Sequence, residues 1–175
     1  MNSLIARVNH LDRTALLWLH LALKVPLLRI VRQISRSGDG VLYVLFALLA
    51  WTFDRHQGKL FLATVAGCFV VERLLYWVLK NSIRRDRPAA GIDAFQPFIT
   101  PSDKFSFPSG HTAAAFMFAA LVLHFYPGLA VVSYAWASMI GMSRVLLGVH
   151  YPTDIVAGAV LGSTCAMVGL YIIGM

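Results

Sequence analysis

The feature that most constrains this chain is a succession of apolar runs joined by polar links that are mostly short. Val41 to Phe53 and Leu129 to Met142 carry no charged residue, and Ser109 to Tyr126 carries only His111 and His124 among titratable nitrogen bases. Leu60 to Lys80 admits one Glu72-Arg73 pair before its terminal lysine, and Asp154 to Ile173 admits only its first residue. A 175-residue chain that is 58% hydrophobic, with a mean hydropathy of +0.69, has more apolar surface than a water-exposed domain of this size can bury. The expected fold is all-α: a polytopic membrane helical bundle of about five transmembrane helices. Val41–Phe53 is short for a ~30 Å hydrocarbon layer, so that helix starts earlier or the bilayer thins around it.

The N-terminal part reads differently. From Asp12 to Ser35, leucines interleave with Trp18, His20, Lys24, Arg29 and Arg32, and Pro26 divides the stretch. Two short amphipathic helices in the headgroup layer fit this pattern better than one span from Thr14 to Val31, which would have to bury Lys24 and Arg29. Residues 1–36 are therefore expected to form interfacial helices, and 37–175 a transmembrane bundle of one domain with a long polar loop at 81–108. Arg7, His10 and Asp12 interrupt the N-terminus, so no cleavable signal peptide is evident. Cys68 and Cys165 both lie inside apolar runs and suggest neither a disulfide nor a zinc site.

A net charge of +7 is compatible with anionic headgroups, an anionic substrate or topology-setting cations. Nucleic acid is a poor candidate, because the cations sit between apolar segments and form no solvated basic domain. No obligate protein partner is evident. The Glu72-Arg73 pair is expected to face the bundle interior as a packing element, since both charges are costly at membrane depth.

Antiparallel connections place four helix ends on one face: the end at Lys80, the start at Ser109, the end near Arg144 and the start after His150. Three polar clusters distant in sequence therefore converge. The first runs from Lys80 to Pro88, where Pro88 biases Arg87 to an extended backbone that turns back over the site. Its Arg84 and Arg85 are equally well read as ordinary juxtamembrane cations. The second is Pro108-Ser109-Gly110-His111, a helix start with an N-cap hydroxyl and close backbone approach, suited to an anion. The third is Ser143-Arg144 with His150 and Asp154, in which a carboxylate one helical turn past an imidazole can accept its N–H.

This chemistry fits phosphoryl transfer. His150 would attack phosphorus as the neutral imidazole held by Asp154, and His111 would protonate the leaving oxygen. Lys80, Arg87 and Arg144, with Ser109 and Gly110, would bind a phosphate whose charge moves outward during transfer. Three cations serve the neutralising role of metal ions, and carboxylates are too few for a two-metal site. No metal and no cofactor is expected.

Taken together, Lys80-x6-Arg87-Pro88, Pro108-Ser109-Gly110-His111 and Ser143-Arg144-x5-His150-x3-Asp154 resemble the three-part signature of the type 2 phosphatidic acid phosphatase superfamily. That superfamily comprises integral-membrane lipid phosphatases and relatives of the vanadium haloperoxidases. The resemblance implies a phosphohistidine on His150 oriented by Asp154, and His111 as acid and then base for water. It further implies a lipid phosphate substrate, with undecaprenyl pyrophosphate foremost, and a bacterial inner membrane with the site facing the periplasm. Many members carry a sixth membrane helix that is not expected here, so the chain is more similar to the compact bacterial members, which include undecaprenyl pyrophosphate phosphatases. A lipid phosphotransferase and a non-catalytic lipid transporter on the same fold are the alternatives.

Overall fold

The computed structural model describes residues 2–101 and 103–175. Among these the regular structure is helical: α1 (Asn2–Leu21), α2 (Val25–Ser37), α3 (Val41–Phe53), α4 (Gly58–Ile83), the one-turn α5 (Pro88–Gly91), α6 (Gly110–Phe125), α7 (Ala130–Leu146) and α8 (Pro152–Ile172). The expected all-α polytopic bundle is the observed one. α4, α8 and α7 with its preceding turn are long and apolar enough to cross a membrane, whereas α3 and α6 are shorter apolar helices of 13 and 16 residues. At 1.5 Å per residue the 26 residues of α4 extend roughly 39 Å, enough for the hydrocarbon layer and part of the headgroups.

α1 and α2 are two helices meeting at a 115° bend, as the proline division predicted. α1 starts at Asn2, so the helix takes in the residues ahead of the mixed Asp12–Ser35 stretch as well. No Gly or Pro interrupts this stretch, and Asp12 faces inward at 3% exposure instead of opening the helix. Leu16 is fully buried in a cluster with Val145 and Tyr151, and His20 Nδ1 lies 2.7 Å from the Leu146 carbonyl, so α1 is fastened to the end of α7.

α6 is the axis of the bundle, with Ala113, Ala115, Met117, Leu121 and Val122 fully enclosed or nearly so. α8 lies directly against it because two glycines permit the approach. A Cβ on Gly162 would stand 2.0 Å from the Ala113 carbonyl oxygen, and one on Gly158 2.5 Å from that of Ser109. This contact brings the start of α6 beside the start of α8, where the Ser109 N–H donates to the Asp154 carbonyl at 3.0 Å.

Of the Glu72-Arg73 pair expected to face the bundle interior, Glu72 is fully buried but the Arg73 side chain is 46% exposed, because neighbours on a helix point about 100° apart. Arg73 Nε and Nη2 each donate to Glu72 at 2.6 Å. Arg73 also donates to the Gly110 carbonyl at 3.2 Å, which ties α4 to the first turn of α6. Cys68 and Cys165 are buried free thiols.

Candidate active site

The four helix ends meet on one face. α4 closes at Arg84, whose φ of +51° turns the chain back. The following strand-like stretch pairs with the far end of the 81–108 loop, through an Asp86–Phe105 bridge and a 2.8 Å bond from the Ser106 N–H to the Arg85 carbonyl. Between α7 and α8, Gly148 at φ +77° makes the turn, and the Val149 and His150 N–H groups both fold back onto the Arg144 carbonyl. His150 is thereby presented from a short rigid loop.

His150 is 2% exposed. Its Nδ1 stands 3.5 Å from Asp154 Oδ2, a contact longer than a good hydrogen bond. Its Nε2 stands 3.4 Å from Arg87 Nη1, which itself donates to the Val149 carbonyl at 2.6 Å. The imidazole thus has a carboxylate on one nitrogen and a guanidinium beside the other. Burial, aided by the charge of Arg87 and opposed by Asp154, pushes its pKa down to about 4, so the ring is neutral at physiological pH.

Lys80 and Arg87 are both nearly buried and converge on one group, Asp103 of the long loop. Lys80 Nζ is 2.8 Å from Asp103 Oδ2, Arg87 Nη2 pairs with Oδ1, and Arg87 Nε donates to the Asp103 backbone carbonyl at 2.9 Å. The Tyr76 hydroxyl donates to the same carboxylate at 2.6 Å and accepts from Lys80 at 2.6 Å. Burial alone would raise the Asp103 pKa, but the bonds from Lys80 and Tyr76 and the charges of Lys80 and Arg87 hold it below the usual carboxylate range. An anionic carboxylate is therefore seated between the two cations expected to bind phosphate.

Arg144, 7% exposed, donates through Nη1 to Ser35 Oγ on α2 at 2.6 Å, while its Nε has no hydrogen-bond partner among the described residues. Ser109 is buried and accepts from the Thr112 hydroxyl at 2.9 Å. His111 Nε2 lies 2.8 Å from Asp39 Oδ1, in the turn before α3. His111, Asp39, Arg73 and Gly110 line a cavity of about 310 Å³ whose floor is Tyr43 and Phe69, and the apolar groove between α3 and α4 continues from those two aromatic residues.

The structure thus brings Lys80, Arg87, Arg144, His150 and Asp154 together, with Ser109 bonded to the backbone of Asp154. His111 sits at the same end of the bundle, bonded to Asp39 and not to another predicted residue. Sequence reasoning missed Asp103, Asp39, Tyr76, Ser35 and Asp12, and left Arg85 undecided. Asp39 carried a signal, since Ser37-Gly38-Asp39-Gly40 reads as a turn at a helix start on the site's side. Among the described residues no group of three or more His, Cys, Asp or Glu side chains is assembled that could hold a metal.

A family model described as PAP2 superfamily matches residues 59–175, which contain every predicted site residue. The chain belongs to the PAP2 superfamily. Its fold is similar to that of Aquifex aeolicus LpxE, with a TM-score of 0.79 and 28% identity over 92% of this chain and 95% of that one. It is also similar to the transmembrane PAP2-type phosphatidylglycerolphosphate phosphatase of Bacillus subtilis, with a TM-score of 0.76 and 26% identity over 95% and 86% of the two chains. The lipid A 1-phosphatase of Rhizobium johnstonii is 39% identical over 98 residues, 54% of this chain but only 40% of the relative's length. The decaprenylphosphoryl-5-phosphoribose phosphatase of Mycobacterium tuberculosis is 33% identical over 144 residues, 79% of this chain and 76% of its own.

Proposed function

We propose that this PAP2 protein is a lipid phosphatase, hydrolysing a phosphomonoester or diphosphate at the membrane surface through a phosphohistidine on His150. The observation that carries this reading is the buried imidazole set between Asp154 at Nδ1 and Arg87 at Nε2. The Nε2 lone pair attacks phosphorus while the bond to the leaving oxygen breaks, and His111 gives that oxygen its proton. Water then attacks the phosphorus of the phosphohistidine, His111 takes a proton from it, and the phosphorus–nitrogen bond breaks to free inorganic phosphate. An imidazolium at His111 uses both ring N–H groups, one on Asp39 and one on the leaving oxygen. Lys80, Arg87 and Arg144 hold the phosphoryl oxygens as charge builds on them.

For the lipid, we place a polyprenyl diphosphate such as undecaprenyl pyrophosphate first. The longer aligned of the two curated relatives above is named for a decaprenyl-borne phosphate, and the apolar α3/α4 groove suits a long hydrocarbon chain. The test is phosphate release by the purified protein, with chelator present and no added acceptor. The panel comprises undecaprenyl pyrophosphate, phosphatidylglycerol phosphate, phosphatidic acid and a lipid A phosphate. Preference for another member corrects the substrate, and release only on adding a second lipid acceptor makes the protein a phosphotransferase.

Asp103 gives a further expectation. A phosphate reaching Lys80 and Arg87 must displace its carboxylate, so Asp103→Asn should lower the inhibition constant of orthovanadate by about tenfold, equivalent to about 1.4 kcal/mol. Weaker or unchanged vanadate inhibition would show that this carboxylate arranges the cations and does not compete with the anion.

We also propose that the site faces the periplasm. Arg29, Arg32, Arg36 and Arg84 then lie outside, against the positive-inside tendency, but Arg85 is neutralised by two carboxylates and leaves that tally. A membrane-impermeant maleimide should label Lys104→Cys in intact spheroplasts. Labelling only after permeabilisation places the site in the cytoplasm.

A further inference from the structure

Next to the carboxylate that contacts the nucleophile, Arg85 joins the chain after α4 to α1 and to the start of α8. Its Nη1 donates to Asp154 Oδ1 at 2.8 Å and to Thr153 Oγ1 at 2.7 Å. Its Nη2 donates to Asp12 Oδ2 at 2.6 Å and to Asn9 Oδ1 at 3.2 Å, both on α1. Its guanidinium lies over the Tyr151 ring, 4.3 Å from the centroid. Asp12 in turn accepts from the Thr153 backbone N–H at 3.1 Å and from the Thr153 hydroxyl. The two carboxylates are almost wholly enclosed, at 3% and 0% exposure for Asp12 and Asp154. Asp12 and Asn9 lie outside residues 59–175, the part that matches the family model.

We propose that Arg85 and Asp12 are positioning residues for the nucleophile, acting on His150 through Asp154. The inference rests on the reading of His150 given above. Asp154 has two oxygens with separate duties. Oδ1 is taken by Arg85, and Oδ2 is left to the Tyr151 N–H at 2.9 Å and to His150 Nδ1. Arg85 therefore sets the rotation of the carboxylate that selects the imidazole tautomer. A guanidinium bound to Asp154 alone would cancel the charge that steadies the imidazole as it gains a phosphoryl group. Asp12 corrects this: two carboxylates around one guanidinium leave a net charge of −1 behind the ring. Arg87 and Arg144 face the same imidazole from the substrate side and oppose that charge, so the balance on the far side matters. α1 thus supplies half of a charge-balanced clamp on the start of α8.

The experiment uses the full chain in mixed micelles with dioleoyl phosphatidic acid, comparing Asp12→Asn, Arg85→Gln, the double variant and His150→Ala, each checked for its melting transition. Asp12→Asn should lower kcat about tenfold and Arg85→Gln about a hundredfold, with KM within about twofold of wild type. The double variant should be faster than Arg85→Gln alone, because it removes the second carboxylate left facing Asp154. A tie that only holds α1 in place predicts the reverse, a double variant slower and less stable than either single one, and that result overturns the proposal. Unchanged kcat in Asp12→Asn and Arg85→Gln with His150→Ala inactive also overturns it while sparing the underlying reading. Turnover by His150→Ala overturns that reading instead. Should Arg85→Gln not fold, a double variant that folds and turns over supports the proposal, since only charge balancing restores folding when both are changed, and a double variant that also fails to fold overturns it.

Discussion

His150→Ala is expected to lower lipid phosphate turnover by at least about 10⁴-fold while the protein stays folded and retains its phosphate-binding cations. The loss is large because the residue is assigned a covalent role, and no neighbouring group can take it over. Arg87, beside Nε2, is a cation without a lone pair, and Asp154 lies on the opposite nitrogen. Folding should survive because His150 ties the loop to Arg144 through its backbone N–H, which alanine keeps. The checks are phosphate release and acid-labile labelling by a lipid carrying radioactive phosphate. Wild type should show a label that His150→Ala lacks. A variant that still turns over at a rate near wild type would remove the nucleophile from the scheme and leave direct attack by water.

Much of this arrangement was legible in the sequence, for a physical reason. Apolar runs of helical length must cross or enter a bilayer, and alternating direction then dictates which ends share a face. That logic alone brought Lys80, Arg87, His150 and Asp154 together across about 70 residues of chain. It fixes the level of a residue in the bundle but not the rotation of its helix. Asp12 illustrates the difference. In the sequence it is one charge in a mixed segment, and only the inward rotation of α1 shows that it meets Thr153 and Arg85. Arg84 and Arg85 are indistinguishable as text. The left-handed turn at Arg84 leaves that residue exposed and directs the next one inward. Asp103 was hidden for another reason: a long polar loop has no periodicity, so nothing marks which of its carboxylates folds back onto the cations at Lys80 and Arg87. The Glu72-Arg73 pair was legible as charges bonded to each other and to a neighbouring helix, but the rotation of α4 encloses only Glu72 and leaves Arg73 about half exposed.

Arg144→Lys should lower kcat/KM by about 10²- to 10³-fold, most of it in kcat, although formal charge is conserved. Arg144 lies at the end of α7 with Nη1 bound to Ser35 on α2, which fixes the plane of the guanidinium. Its Nε is buried and makes no hydrogen bond among the described residues. A buried donor left unpaired costs free energy, and a phosphoryl oxygen presented to that edge would satisfy it. The contact gains strength as charge moves onto the equatorial oxygens in the transition state, which is why the loss falls on kcat. Lysine loses the Ser35 bond that sets the plane and offers a single strongly hydrated ammonium in place of an edge with several donors. Ser35→Ala separates these two effects, since it frees the guanidinium plane yet keeps every donor, and it should cost much less than Arg144→Lys. Equal losses in the two variants would mean that Arg144 works mainly by tying α2 to α7, and a wild-type rate in Arg144→Lys would mean that charge alone suffices at this position.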